Sequence, residues 1–184
     1  DPRVVTLKSG VAEGRLLGGN LSLLQCMVGT RHQPDFDGAI LFLEDVGEAL
    51  YRVDRMLSHL KLAGILDKLA GVVVGQFTEM EEGGEDGALG FDQVLANYFL
   101  PLGIPVAYGF PFGHVTEKWT LPVGVKARLD AGAGEVEILE PAVQVGHAAV
   151  GILRQIRNQV VPFDNAGGER QTALRAEPMR QQVI

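Results

Sequence analysis

The apolar residues of this chain fall into two kinds of pattern, short uninterrupted runs and longer stretches with a helical period. Ala39-Ile40-Leu41-Phe42-Leu43, Val72-Val73-Val74 and Pro105 to Gly109 are continuous runs, as expected of strands buried on both faces of a parallel sheet. Between them the period changes. Val53, Met56, Leu57, Leu60 and Ala63 share one helical face, predicting a helix over about 50–63 with Gly64 beyond its end, and Val94, Leu95 and Tyr98 predict another over 91–99. Upstream, Val4 to Leu7 is a short β-branched run, and Ala12 to Leu17 alternates as a strand ending at Gly18-Gly19. Asn20 then reads as the N-cap of a helix bearing Leu21, Leu24 and Val28, with Gly29 as its left-handed terminator.

Apolar strands separated by helices predict a parallel layer whose right-handed crossovers bring the carboxyl ends of the strands to one edge. After His114 the pattern turns to Trp119-Thr120-Leu121, Val123 to Leu129 and Glu135 to Leu139, the last two joined by Ala131-Gly132-Ala133-Gly134. That is the signature of a small antiparallel hairpin. The expected fold class is α/β, with a mixed, mainly parallel sheet, flanking helices and a terminal antiparallel hairpin. The segment Glu79 to Gly87 is acidic and glycine-rich and reads as a solvated surface loop. Beyond Pro141 the composition shifts: all five Lys lie before residue 127, whereas the five basic residues of the tail are all Arg. The chain is therefore expected to divide into a domain over 1–141 and an appended tail over 142–184. In the tail, Ala149, Ile152, Leu153, Ile156 and Val160 fit one amphipathic helix, and Phe163 to Ile184 is expected to be poorly ordered.

Composition narrows the function classes. With 184 residues, 46% hydrophobic and 21% charged, the chain is long enough to bury an ordinary core. A net charge of −7 argues against a nucleic-acid surface, which needs clustered Lys and Arg to neutralise phosphates. Cys26 is the only cysteine, so no intrachain disulfide or zinc finger can form and the cytoplasm is the expected compartment. The apolar runs fall far short of the roughly 20 residues of a membrane helix, so no membrane association is expected. The chain opens with Asp1 rather than Met, and residue 1 need not be the natural start.

Glu44 and Asp45 stand where the most apolar strand ends, at the edge where open α/β sheets hold ligands. His114, in Gly109-Phe110-Pro111-Phe112-Gly113-His114, follows another strand end across a loop of glycines and a proline. A carboxylate and a His brought together there would form the orienting half of a catalytic triad. By spacing alone, a loop-capping Glu and a structural or exposed His fit the same residues. His32, His59 and His147 have no metal-ligand spacing, so no metal is expected. Gly18-Gly19-Asn20 at a strand-to-helix turn suggests a phosphate cradle, but it lacks a Gly-Lys-Ser/Thr and a third glycine. Capping by Asn20 is the simpler reading, and no cofactor is expected. Arg52 and Arg55 could bind a carboxylate, although a solvated or ion-paired helix face accounts for them equally.

Several segments together resemble the C-terminal domain of LD-carboxypeptidases, serine peptidases of the family that includes the microcin immunity peptidase. The resemblance rests on Gly14-Arg15-Leu16-Leu17-Gly18-Gly19-Asn20-Leu21-Ser22, Ile40 to Glu48, Tyr51 to Leu57, Gly71 to Phe77 and Pro105 to His114, which occur in the family's order. They cover about residues 4–141. The resemblance implies a cytoplasmic bacterial enzyme of cell-wall recycling, which cleaves the amide before the terminal D-alanine of murein tetrapeptides through a Ser-His-Glu triad. By position it makes Glu44 the triad acid and His114 the general base, and it places Asn20 near the substrate. It also implies a nucleophile-bearing N-terminal domain, whose serine lies in a Gly-x-Ser-Asp elbow that this chain does not contain. Ser9, Ser22 and Ser58 are the only serines, and none has the sharp glycine-flanked turn of a nucleophile. The chain read alone is thus expected to be inactive, and a homodimer is compatible with the reading. The alternative is a non-catalytic module that binds peptide or muropeptide, or that dimerises.

Overall fold

The computed structural model describes residues 4–81, 89–116 and 118–143. The predicted tail helix, the remainder of 144–184 and most of the acidic loop lie outside the described residues. Seven strands form one sheet: β1 (Val5–Lys8), β2 (Val11–Asn20), β3 (Ile40–Val46), β4 (Gly71–Thr78), β5 (Val106–Tyr108), β6 (Lys126–Asp130) and β7 (Glu135–Ile138). Among the described residues three α-helices connect the central strands: α1 (Leu21–Met27), α2 (Leu50–Leu62) and α3 (Phe91–Phe99). The spatial order is β1-β5-β4-β3-β2-β6-β7. Strands β2 to β5 are mutually parallel, and β1, β6 and β7 join antiparallel. The expected mixed, mainly parallel class is the one observed.

Alternation along the strands sorts the core into two layers. Leu17, Leu41, Leu43, Val72, Val74 and Val106 pack with buried residues of all three helices, among them Leu21, Val53, Leu57, Leu60, Val94 and Phe99. Leu16, Ile40, Phe42, Val73 and Ala107 pack instead with Phe110, Phe112, Ala127, Leu129 and Val136. Among the described residues the helices thus flank one face only. The reason is topological: each parallel strand from β2 to β5 is added on the same side of its predecessor, so right-handed crossovers return every helix to the same face. The other face is closed by the loop after β5 and by the β6–β7 hairpin.

Element ends differ from expectation in ways that matter for the site. β2 does not stop before Gly18-Gly19 but runs through both to Asn20. The two glycines extend with φ of 147° and 145°, and a Cβ on Gly18 would lie 1.8 Å from the Phe42 carbonyl oxygen. Only glycine lets β2 approach β3 this closely. The hairpin is shorter than predicted: Trp119 to Val125 forms no strand. Instead the Trp119 N–H donates to the Pro111 carbonyl at 2.7 Å, and the indole packs 5.9 Å from the Phe110 ring. This apolar run closes the helix-free face as a loop. The predicted ends of α2 and α3 hold, with Gly64 left-handed at φ 68°; α1 starts at the predicted cap but ends at Met27, so that Val28 is extended and Gly29, at φ 75°, belongs to the turn that follows.

Candidate active site

Glu44 and Asp45 are consecutive in β3, and the pleat sends them to opposite faces. Both are buried, at 8% and 2% exposure. Glu44, on the face of Phe42, meets the loop between β5 and His114. Its Oε2 lies 2.8 Å from His114 Nδ1, although 70 residues of chain separate the two. With the carboxylate ionised, Nδ1 carries the shared proton and Nε2 holds the lone pair of the neutral ring. The His114 side chain is about half exposed, so the pair joins a buried acid to an accessible base.

The loop backbone is built to make this contact. Gly109 and Gly113 take φ of 87° and 117°, conformations that L-residues rarely adopt. A Cβ on Gly113 would sit 3.0 Å from Glu44 Oε2, so glycine is what lets the chain pass over the carboxylate. Phe112 anchors the turn from below. Its ring packs edge-on to Phe42 at 6.0 Å, in space that a side chain on Gly75 would fill, since a Cβ there would meet the ring at 2.5 Å.

Asp45 faces the helices and is consumed by fixed donors. Oδ1 accepts from Asn20 Nδ2 at 2.7 Å and from the Val46 N–H at 2.9 Å. Oδ2 accepts from the Ser22 N–H at 2.9 Å and from Ser22 Oγ at 2.8 Å. Asn20 caps α1 as expected, its Oδ1 accepting from the Leu23 N–H at 3.1 Å. Its backbone also pairs in register with Glu44 across β2 and β3, while its side chain is held by Asp45 and the α1 N-terminus; the edge brings Glu44 and His114 together. Asp45 thereby ties α1 to β3, a role that the sequence expectations do not assign it. The signal was present in the strand period, which places neighbouring acids on opposite faces.

The serines stand apart from the imidazole. Ser22 Oγ donates to Asp45 on the helical face, within 3.2 Å of Glu48 Oε1. Ser58 is in mid-α2, and Ser9 precedes β2 at the opposite edge of the sheet. Arg52 pairs with Glu48 at 3.4 Å and lies 5.8 Å over the Tyr51 ring. The Tyr51 hydrogen bond, then that pair, raises its pKa further. His32 contacts Arg31 and His59 contacts Gln25, and no metal-holding cluster occurs among the described residues. His147 lies outside them.

An α/β sheet with an acid–imidazole pair at its carboxyl edge has its reactive groups where such folds hold ligands. The sequence profile of the LD-carboxypeptidase C-terminal domain matches residues 13–129. A putative carboxypeptidase of Synechocystis is 42% identical over 72% of this chain and 44% of its own length. The probable murein peptide carboxypeptidase of Bacillus subtilis is 39% identical over 76% of this chain and 44% of its own. The crystal structure of muramoyltetrapeptide carboxypeptidase from Oxalobacter formigenes superposes with a TM-score of 0.64 at 42% identity, covering 75% of this chain and 50% of that one. The chain belongs to the LD-carboxypeptidase family, and what matches is its C-terminal domain. It spans about half the length of these relatives.

Proposed function

We propose that this chain supplies the acid–base half of an LD-carboxypeptidase that releases terminal D-alanine from murein tetrapeptides in cytoplasmic cell-wall recycling. The observation that carries the reading is the 2.8 Å contact between Glu44 Oε2 and His114 Nδ1. Glu44 holds the imidazole in the Nδ1–H tautomer and stabilises its cation. His114 Nε2 takes the proton from a serine hydroxyl as that oxygen bonds to the carbonyl carbon of the scissile amide. The same proton passes to the amine of D-alanine as the C–N bond breaks, and water then cleaves the acyl-enzyme by the reverse sequence. Asn20, in register beside Glu44, lies near the substrate. The serine comes from an N-terminal domain of the kind the family resemblance implies, since Ser22 is committed to Asp45 and Ser9 and Ser58 lie away from the edge. Residues 1–141 form the family domain and 142–184 an appendage, in keeping with a profile match that ends at residue 129. Among the described residues no helix is long and apolar enough to cross a membrane.

The test is reconstitution. Residues 1–184 alone are expected to release no D-alanine from a murein tetrapeptide, because a base without its nucleophile forfeits effective molarities on the order of 10⁵ M or more. Joined to the nucleophile domain of a relative, they are expected to restore release. Peptide binding without hydrolysis in every combination would favour the non-catalytic module. Release by the chain alone, lost in Ser22→Ala, would place the nucleophile within this domain.

A further inference from the structure

The pairing of β3 with β4 is irregular at one point only: Leu43 pairs with Val74 and Asp45 with Phe77, so Gly75 and Gln76 together oppose the single residue Glu44. This is a β-bulge, a device that re-aims side chains and recurs beside active sites. What it aims is Gln76. The side-chain amide donates both its protons, at 2.8 Å to the Gly109 carbonyl and at 3.2 Å to the Phe110 carbonyl. The main-chain N–H of Gln76 donates to the Phe112 carbonyl at 2.9 Å. Three carbonyls of the stretch Gly109 to Gly113, which leads to His114, therefore accept from one residue, that of Phe110 accepting from the Phe112 N–H as well. The Gln76 carbonyl is also 3.0 Å from where a Cβ on Gly113 would stand.

We propose that Gln76 is the positioning residue for His114: by fixing the loop carbonyls it sets the imidazole against Glu44 and so selects the Nδ1–H tautomer. Its hydrogen bonds go to the loop backbone rather than to the ring. Its effect passes through the backbone of Gly109 to Gly113, and the bulge at Gly75–Gln76 serves to direct the amide there. The kinetic consequence rests on the reading of His114 as general base; the structural consequence does not.

The experiment uses Gln76→Met, which keeps length and volume but removes both donors, and Gln76→Lys, which restores donors on a similar stem. In residues 1–184, long-range ¹H–¹⁵N spectra of the His114 imidazole are expected to show the Nδ1–H tautomer in the native chain. Gln76→Met should move it to the mixture of a free imidazole, and Gln76→Lys should retain it. In the reconstituted enzyme the Met variant is expected to lower kcat by about 10²-fold with little change in KM, the scale of an ångström-level misplacement. A folded Met variant with the native tautomer overturns the proposal. If the Met variant does not fold, the Lys variant decides: loss of the tautomer with donors present overturns it equally, and retention supports it. If no form releases D-alanine, the proposed function fails, while the imidazole spectra still decide the role of Gln76.

Discussion

Glu44 and Asp45 are the same kind of residue, adjacent in one strand and both buried, yet the two faces of the sheet put them to different ends. On the helical face Asp45 accepts four hydrogen bonds from Asn20, Ser22 and Val46. Three of these donors are main-chain N–H groups or a capping side chain, so the carboxylate is locked. On the helix-free face Glu44 meets one imidazole carried by a glycine-rich loop and half open to solvent. A buried carboxylate with four donors, three of them fixed, stabilises structure, because removing it strands the fixed ones. One whose hydrogen-bonded partner is an exposed, titratable ring can support proton transfer. The difference lies in what covers each face: helices with their amide ends on one side, an irregular loop on the other.

The largest effect expected from breaking this contrast is on turnover. If the proposed roles hold, His114→Ala or Glu44→Gln in the reconstituted enzyme should lower kcat for D-alanine release by roughly 10³ to 10⁴, as in triads that lose the base or its orienting acid. Ser22→Ala, on the other face, should leave turnover in the native range. Comparable losses from all three would dissolve the distinction between the faces.

Stability should rank the two acids in the opposite order. Asp45→Leu, measured by urea unfolding of residues 1–184, is expected to cost about 3 kcal/mol or more, because up to four donors lose their acceptor in a buried place. Glu44→Gln keeps volume and an acceptor and should cost less than about 1 kcal/mol. A reversed ranking would mean that the imidazole pair is the structural one.

Next in size is Gly113→Ala. The left-handed φ and the crowded Glu44 oxygen should together cost about 1–3 kcal/mol, with a fall in kcat out of proportion to that loss of stability. Gly19→Ala, at a similar φ but with nothing within 4 Å of the added Cβ, isolates the backbone term. Equal kinetic effects at both glycines would count against a role for Gly113 in seating His114.

The smallest expected effect lies under the helices. Tyr98 Oη donates to Asp54 Oδ1 at 2.9 Å, and burial first, then that hydrogen bond, raise its pKa above the usual value. A phenol that holds its proton more tightly when folded contributes stability that is complete below the unfolded pKa and is lost as pH rises through the folded one. Tyr98→Phe should therefore cost about 1 kcal/mol near neutrality and flatten the decline in unfolding free energy above roughly pH 10. An unchanged alkaline slope would show that Tyr98 does not report on the helical layer.

Much of this was legible from residue order. The continuous apolar runs of β3, β4 and β5, the helical periods of α2 and α3, the Asn20 cap and the left-handed glycines at helix ends are local features, decided by burial and by backbone sterics within a few residues. Glu44, Asp45 and His114 could be placed at a strand edge for the same reason. Tertiary structure decided the rest. That β2 continues through Gly18-Gly19 depends on the closeness of β3, which no local propensity encodes. That the run from Trp119 to Val125 packs as a loop rather than as a strand follows from Pro111 and Phe110 lying within reach. That Glu44 meets His114 while Asp45 meets Asn20 and Ser22 depends on which face each helix returns to, and on a bulge that turns Gln76 toward a loop more than thirty residues later. Those contacts join segments far apart in sequence, and their energies exist only once the sheet has assembled around them.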